Sequence, residues 1–537
     1  MKLPEFSDEA SPEFGDALEC KEWLQTVPLA NVGAAQRELL GELEEFNRFP
    51  AKPAERLAVM EALREAVHFV QLEQIKRFSN RALPMNEAEA TAFDDSNELW
   101  EQMQVGYSHC LESALAGEGG MKSQAALVCQ RVLAYVGLKM FYCYRAYRQV
   151  PAREWRALHE AYANAEKLKV TGDGVKDLMN RDVHDSSPRI AYARAVLMGM
   201  CSPNELGQRP LTFVAFLLER WASKIEVLKE PVSEGEGVPP LVADLAGDTC
   251  PERVDQPPIS EHVRYLDTRA LAKSLRNRVG LLRKGESPAK LALGEDCVQP
   301  SCEQHLVHLF RQWCQAKPVR AAERKRVVTT AQVCNEFAAI HYYVGGRGFR
   351  QPLEQKELTQ KEREQIATFG RVSTKEDDDY SNVHGFLVES WLIEDESAQG
   401  LHIVRKADTP GKRYAHGQLV AVRPADAKTF MLGQVRWLMA GEAGDLHAGL
   451  RLLAGVPGAV AVRPTGLNVQ SEKFVQAMSL GAVAAINQPT TLVLPSGWFK
   501  PKRVLELFTD AEHHVRLLEV VERGSDFDRV TYERASA

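Results

Sequence analysis

Asp395-Glu-Ser397-Ala-Gln-Gly400 gathers a carboxylate, a hydroxyl and a residue without a side chain between two strand-forming runs, Trp391–Glu394 and Leu401–Val404. A β-turn with that spacing presents all three to one polar ligand. The carboxylate accepts hydrogen bonds, the hydroxyl donates, and the glycine permits positive φ or a close backbone approach. Upstream, Arg320 and Arg324 carry two guanidiniums four residues apart, just ahead of a strand-like run that starts at Val327. A guanidinium fork pairs bidentately with phosphate or with a guanine edge, and its flat face stacks on a purine. Lys325 and Arg326 adjoin the pair and are placed to take over either role. These residue types suit binding rather than bond-breaking.

The elements that must position them follow from periodicity. From Val327 onward short strands alternate with Gly, Pro and Asp turns, which predicts a small antiparallel barrel. A polar segment, 347–380, interrupts it and ends in Lys375-Glu-Asp-Asp-Asp379, read as a solvated helix and loop. The N-terminal part is helical in period, with apolar residues at three- and four-residue spacing after Pro53. Ser96 is read as the cap of a helix with Leu99, Met103 and Tyr107 on its face, and Ala126–Tyr144, apolar almost all round, as a helix buried among others. The partition is an α-helical domain 1–230, a Pro/Gly-rich linker or loop 231–260, and a short helical block 261–316. A β-barrel 317–465 and a β-rich extension 466–537 complete it. The fold class is α+β multidomain: an irregular α-helical bundle, then an antiparallel β-barrel with its extension.

The arginine pair, the Asp395-x-Ser397-x-x-Gly400 turn and the runs that follow, Gly417–Arg423, Leu432-Gly-Gln-Val-Arg-Trp437 and Ala448–Leu453, resemble in order the PilZ family of bacterial cyclic di-GMP receptors. The resemblance covers residues 318–465. It implies a six-stranded barrel with the arginine segment just before its first strand. It also implies ligand contacts from Arg320, Arg324, Asp395, Ser397 and Gly400, with Lys325, Arg326 and Trp437 as possible additions. Cyclic di-GMP carries two phosphates and two guanines. The arginines suit both, and Asp395 suits the guanine N1–H and exocyclic amine. No cofactor beyond that ligand is implied. A protein partner would be engaged through the helical domain, with an output in motility, pili, attachment or exopolysaccharide.

Composition is consistent with a soluble globular chain. Of 537 residues, 45% are hydrophobic and 26% charged, and the formal charge of −7 argues against wholesale coating of nucleic acid. With no membrane-length apolar run and no secretory signal pattern at the N-terminus, a cytoplasmic location is expected. The ten cysteines, none in a Cys-x-x-Cys pair, are read as reduced and buried. No phosphate-cradling glycine loop, nucleophile elbow or metalloprotease motif is present, so no enzyme is expected. Cys302-x-x-His305-x-x-His308 has ligand-type residues but no partner at metal-site spacing, and His184 with Asp182 and Asp185 reads as a polar loop. No metal is expected. Two other functions stay open: a degenerate PilZ scaffold that binds only proteins, and a DNA-binding regulator using a helix-turn-helix-like stretch within 266–294.

Overall fold

The computed structural model describes residues 3–232, 237–294, 297–298, 300–316, 325–352, 380–465, 472–509 and 511–535. They form two compact units. The first is Met1–Arg81 with Met85–Val319, and the second is Ala82–Pro84 with Arg320–Ala537.

The first unit is mostly helical: α1 (Ala17–Leu24), α2 (Val32–Arg48), α3 (Pro53–Phe78), α4 (Glu87–Ala116), α5 (Ala125–Arg145), α6 (Ala152–Lys167), α7 (Pro188–Met200) and α8 (Gln208–Trp221), then α9 (Arg269–Arg283) and α10 (Ser301–Cys314). A hairpin, β1 (Val175–Lys176) with β2 (Asp185–Ser186), and a four-stranded sheet join them. That sheet holds β3 (Glu226–Leu228), β4 (Leu241–Asp244), β5 (Glu252–Arg253) and β6 (Val263–Asp267), in the order β3-β6-β4-β5. As expected, α3 starts on Pro53, whose missing N–H costs nothing in the first turn. The cap expected at Ser96 is elsewhere. Ser96 is buried inside α4, and the helix starts ten residues earlier with a capping box, in which Asn86 Oδ1 accepts from Glu89 N–H (2.9 Å) and Glu89 returns the contact (3.0 Å). Reciprocal caps of this kind fix a helix start more firmly than a lone serine does.

Helix α5 has the length and apolar character to cross a membrane, but two-thirds of it (67%) is buried inside the unit, where α4, α6 and α7 pack on it. Residues 231–260 are not a plain linker. β4 and β5 lie within them, and Leu241, Ala243 and Leu245 enter the same core as the N-terminal helices. Nor is 261–316 a separate block. Trp313 Nε1 donates to Leu197 O (2.8 Å), His308 Nε2 meets Cys201 O (3.0 Å), and both helices α9 and α10 contribute to that core. Proline-rich composition concealed strands too short to show a period. Cys297 and Cys302 form a disulfide, against the reduced reading. Their Cα atoms are 4.9 Å apart, whereas seven of the eight free cysteines are buried as expected.

The second unit holds two closed barrels. The first consists of β7 (Lys325–Cys334), β8 (Glu389–Ser397), β9 (Gly400–Arg405), β10 (Leu419–Pro424), β11 (Met431–Ala440) and β12 (Leu446–Leu452). Its order around the ring is β10-β11-β12-β9-β8-β7, all antiparallel. The second consists of β13 (Pro457–Pro464), β14 (Val475–Leu480), β15 (Thr491–Pro495), β16 (Val504–Phe508), β17 (Glu512–Arg523) and β18 (Phe527–Arg534). Its order, β13-β14-β15-β18-β17-β16, repeats that of the first barrel pairing for pairing. The run Ala459–Arg463, expected in the first barrel, opens the second. The expected β-rich extension is therefore a complete barrel.

Helix α11 (Phe337–Gly345) follows β7, where no helix was expected, because its residues are apolar all round and show no single-faced period. Its Ile340 packs with Leu419, Ala421 and Leu432 of one barrel and Met478, Leu480 and Val493 of the other, so the three share one core. Residues 353–379, the body of the expected insertion, lie outside the described residues.

Candidate functional site

The first barrel's closure sets which residues meet. Along β8, Glu389, Trp391 and Ile393 are buried while Ser390, Leu392 and Glu394 are exposed, the alternation of a strand with one face on a core. Trp391 is therefore interior. Its Nε1 donates to Glu389 Oε2 (3.2 Å), and that carboxylate also takes Arg405 Nη1 (2.6 Å). A register shift between Ile393 and Asp395 then turns Asp395 to the other face.

Asp395 lies opposite Arg326 of β7 and opposite His402 of β9. His402 lies opposite Gly449 of β12, and Gly449 opposite Trp437 of β11. Directly paired residues share a face. Arg326, Asp395, His402 and Trp437 thus form one row on the outside of the barrel, with Gly449 as the gap in it. A Cβ on Gly449 would overlap the Trp437 indole, so the glycine is what lets that ring lie across β12 beside His402, at 5.0 Å between ring centres.

The turn Ser397-Ala-Gln-Gly400 closes the β8–β9 hairpin, with Ser397 opposite Gly400. Ser397 Oγ donates to Gly400 O at 3.2 Å, so the hydroxyl expected to meet a ligand helps hold the turn. Of the two roles expected for the glycine, the positive φ is absent. Its constraint comes from the barrel itself: a Cβ would lie 2.5 Å from Leu450 O on β12. Asp395 is held within 3.6 Å of His402 Nδ1. Lys325 and Arg326 are exposed at the start of β7. Arg320 and Arg324 lie outside the described residues.

Two arginines not singled out in the sequence complete the outer face. Arg451 is opposite Gly400 on one side and Gln434 on the other, one row along from Asp395, and Arg436 is the extra residue of a bulge between Val435 and Trp437. Both guanidiniums approach Gln434 Oε1, at 3.5 and 3.4 Å. Arg451 also pairs with Glu522 on β17 of the second barrel. Burial, then the charges of Arg436 and Arg529, hold the Arg451 guanidinium below its usual pKa. Crowded cations of this kind attract an anion. Both residues stand inside runs quoted for the resemblance, Arg436 beside Trp437 and Arg451 two residues past Gly449. The bulge that orients them left no mark in the residue pattern.

Other sequence candidates resolve into structure. Asp182 pairs with Arg220, and Asp185 with Lys176 at 2.5 Å. The stretch Ala289–Leu291 is a single 3₁₀ turn, and Arg278 is spent on Ser274 Oγ (2.6 Å) and Leu291 O (3.3 Å). A recognition helix needs more than one turn, so this stretch does not form a helix-turn-helix.

Two family models match the chain. Residues 18–231 match "Cyclic-di-GMP receptor FimW, N-terminal domain", and residues 460–535 match "FimW C-terminal beta-barrel domain". The chain is also similar to the curated "Cyclic-di-GMP receptor FimW" of Pseudomonas aeruginosa. The two are 23% identical over 523 residues, spanning 88% of this chain and 83% of that protein.

Proposed function

We propose that this chain, which carries the N-terminal and C-terminal domains of the FimW family at its two ends, is a receptor for cyclic di-GMP and not an enzyme. The observation that carries the reading is the outer face of the first barrel. An aspartate, an indole and two arginines stand there on adjoining register rows, between the two stretches that match the family models. The barrel is read as PilZ-like, and the relative's printed name supports the ligand.

In this reading the phosphates take Arg436 and Arg451, and a guanine edge takes Asp395. A purine stacks on Trp437 or a guanidinium, and Arg326 closes the row from β7. Arg320 and Arg324 supply further contacts ahead of β7. Gly400 and Ser397 shape the turn. The helical unit passes the signal to a protein partner in the cytoplasm, with an output in motility, pili, attachment or exopolysaccharide.

Calorimetric titration of the full chain with cyclic di-GMP tests this. Saturable binding is expected, lost in Asp395→Ala, with cyclic di-AMP rejected, because adenine offers no N1–H for the carboxylate to accept. Equal binding of both dinucleotides would reduce the site to a reader of phosphate charge. No binding of either would end the proposal.

A further inference from the structure

The outer face of the first barrel holds a second constellation, displaced from the arginines toward the opposite end of the strands. Glu394 of β8, His402 of β9 and His447 of β12 each bring one ligand-type atom to within 4.8 Å of the other two. His402 Nε2 and His447 Nδ1 are 3.3 Å apart, and Glu394 Oε2 is 3.4 Å from His402 Nδ1, the ring nitrogen that does not face His447. The first spacing is informative. Two imidazole nitrogens bound at about 2.0–2.1 Å to one tetrahedral ion lie about 3.3 Å from each other.

The backbone fixes this arrangement. Val404 is opposite His447 and Gly449 is opposite His402, so the two histidines sit on the diagonal of one antiparallel pair. The Trp437 indole buttresses His402 from the far side. Both imidazoles are half-buried, while Glu394 exposes 52% of its side chain, which leaves an entry for an ion from solvent. Asp395 Oδ2, 3.6 Å from His402 Nδ1, is the kind of carboxylate that orients a histidine ligating through its other nitrogen. Two imidazoles and a carboxylate suit zinc and its neighbours in the first transition row, and suit magnesium or calcium poorly.

We propose that Glu394, His402 and His447 form a binding site for a divalent transition-metal ion of the zinc type. His402 also stands in the Asp395 row, so an ion there would fix the ring against which that carboxylate rests. The metal site does not depend on the nucleotide reading, and its test omits the nucleotide.

The test uses the tag-free full chain, stripped with chelator, then titrated with Co²⁺ by visible absorption and with Zn²⁺ by calorimetry. One Zn²⁺ per chain and a Co²⁺ ligand-field band are expected, with Zn²⁺ displacing Co²⁺. His447→Gln and His402→Gln should each abolish that stoichiometric ion. Glu394→Gln, at an exposed position that leaves folding intact, should weaken it by about tenfold or more. Absence of saturable binding at micromolar metal would overturn the proposal and leave the pair as hydrogen-bonded imidazoles. So would unchanged stoichiometry in all three variants, which would locate the ion elsewhere.

Discussion

The charges of Arg436 and of Arg529, the latter on β18 of the second barrel, bear on Arg451, and the three guanidiniums differ in what they are free to do. Arg529 is buried, with Nε on Thr491 Oγ1 (3.0 Å) and Nη2 on Ala454 O (3.0 Å), so its role is to hold the chain together while contributing charge. Arg451 keeps 45% of its side chain exposed, and its contact with Gln434 is long. It can turn to a phosphate once its pair with Glu522 opens. Arg451→Ala is expected to weaken cyclic di-GMP binding by about 2 kcal/mol, the worth of a charge-assisted hydrogen bond. Arg451→Lys should recover only part of this, because an ammonium lacks the bidentate fork. Calorimetry on the two variants decides it, and an unaltered affinity in the alanine form would remove Arg451 from the site.

The β8–β9 hairpin shows how far element-scale reasoning reached. Its turn, its strands and the carboxylate at its shoulder were legible because hairpins write themselves in alternating apolar residues and a glycine. The reason for Gly400 was not, since the atom it must avoid, Leu450 O, belongs to a strand that follows Gly400 by several dozen residues. The same holds for Trp437 and Gly449, whose fit depends on register across two strands. Gly400→Ala should therefore force β9 away from β12 and destabilise the barrel by about 1–3 kcal/mol. A lower melting temperature of the β signal is the expected readout, and no change would mean that the hairpin yields without penalty.

A second element-scale case lies in the first unit, where α3, α5 and the β1–β2 hairpin meet. Arg64 pairs with Asp177 at 2.7 Å, and Gln130 Nε2 donates to the same carboxylate at 2.9 Å. Burial alone would raise the Asp177 carboxyl, but Arg64 and then Arg131 outweigh it and bring it down to about 2. The folded value lies below the unfolded one, near 3.9. The pair's stability is thus fully present above about pH 4 and is lost as the pH falls toward 2. Acidification through that window should cost the helical unit about 2 kcal/mol from this group. Asp177→Asn should remove this portion of the acid sensitivity while destabilising at neutral pH by about 3 kcal/mol, because buried Arg64 loses its nearest counter-charge and keeps only Glu61, at 3.7 Å. Identical acid slopes in the wild type and the variant, followed by helical circular dichroism, would contradict the assignment.

At the scale of the whole molecule the repeated barrel changes what the proposed nucleotide face borders. The two barrels share a strand order and, with α11, a core, yet the second has no Asp-x-Ser-x-x-Gly turn between β14 and β15. What it offers the first is an anion. Glu522 on β17 pairs with Arg451, and Gln434 Nε2 reaches Arg523 O at 3.4 Å. A phosphate arriving at Arg451 therefore competes with Glu522. Binding that draws the guanidinium away gives β17 a way to sense the ligand, to the extent that the ligand prefers the released arrangement. Removing the competitor should help the ligand and uncouple the sensor. Glu522→Gln is expected to tighten cyclic di-GMP binding by about 1 kcal/mol, a modest figure because Arg451 is partly solvated. It should also abolish the ligand-induced change in hydrogen exchange along 517–523 that the wild type is expected to show. Weaker binding in Glu522→Gln would mean that the carboxylate instead holds Arg451 in place for the phosphate. The second barrel would then be part of the binding site and not its reporter.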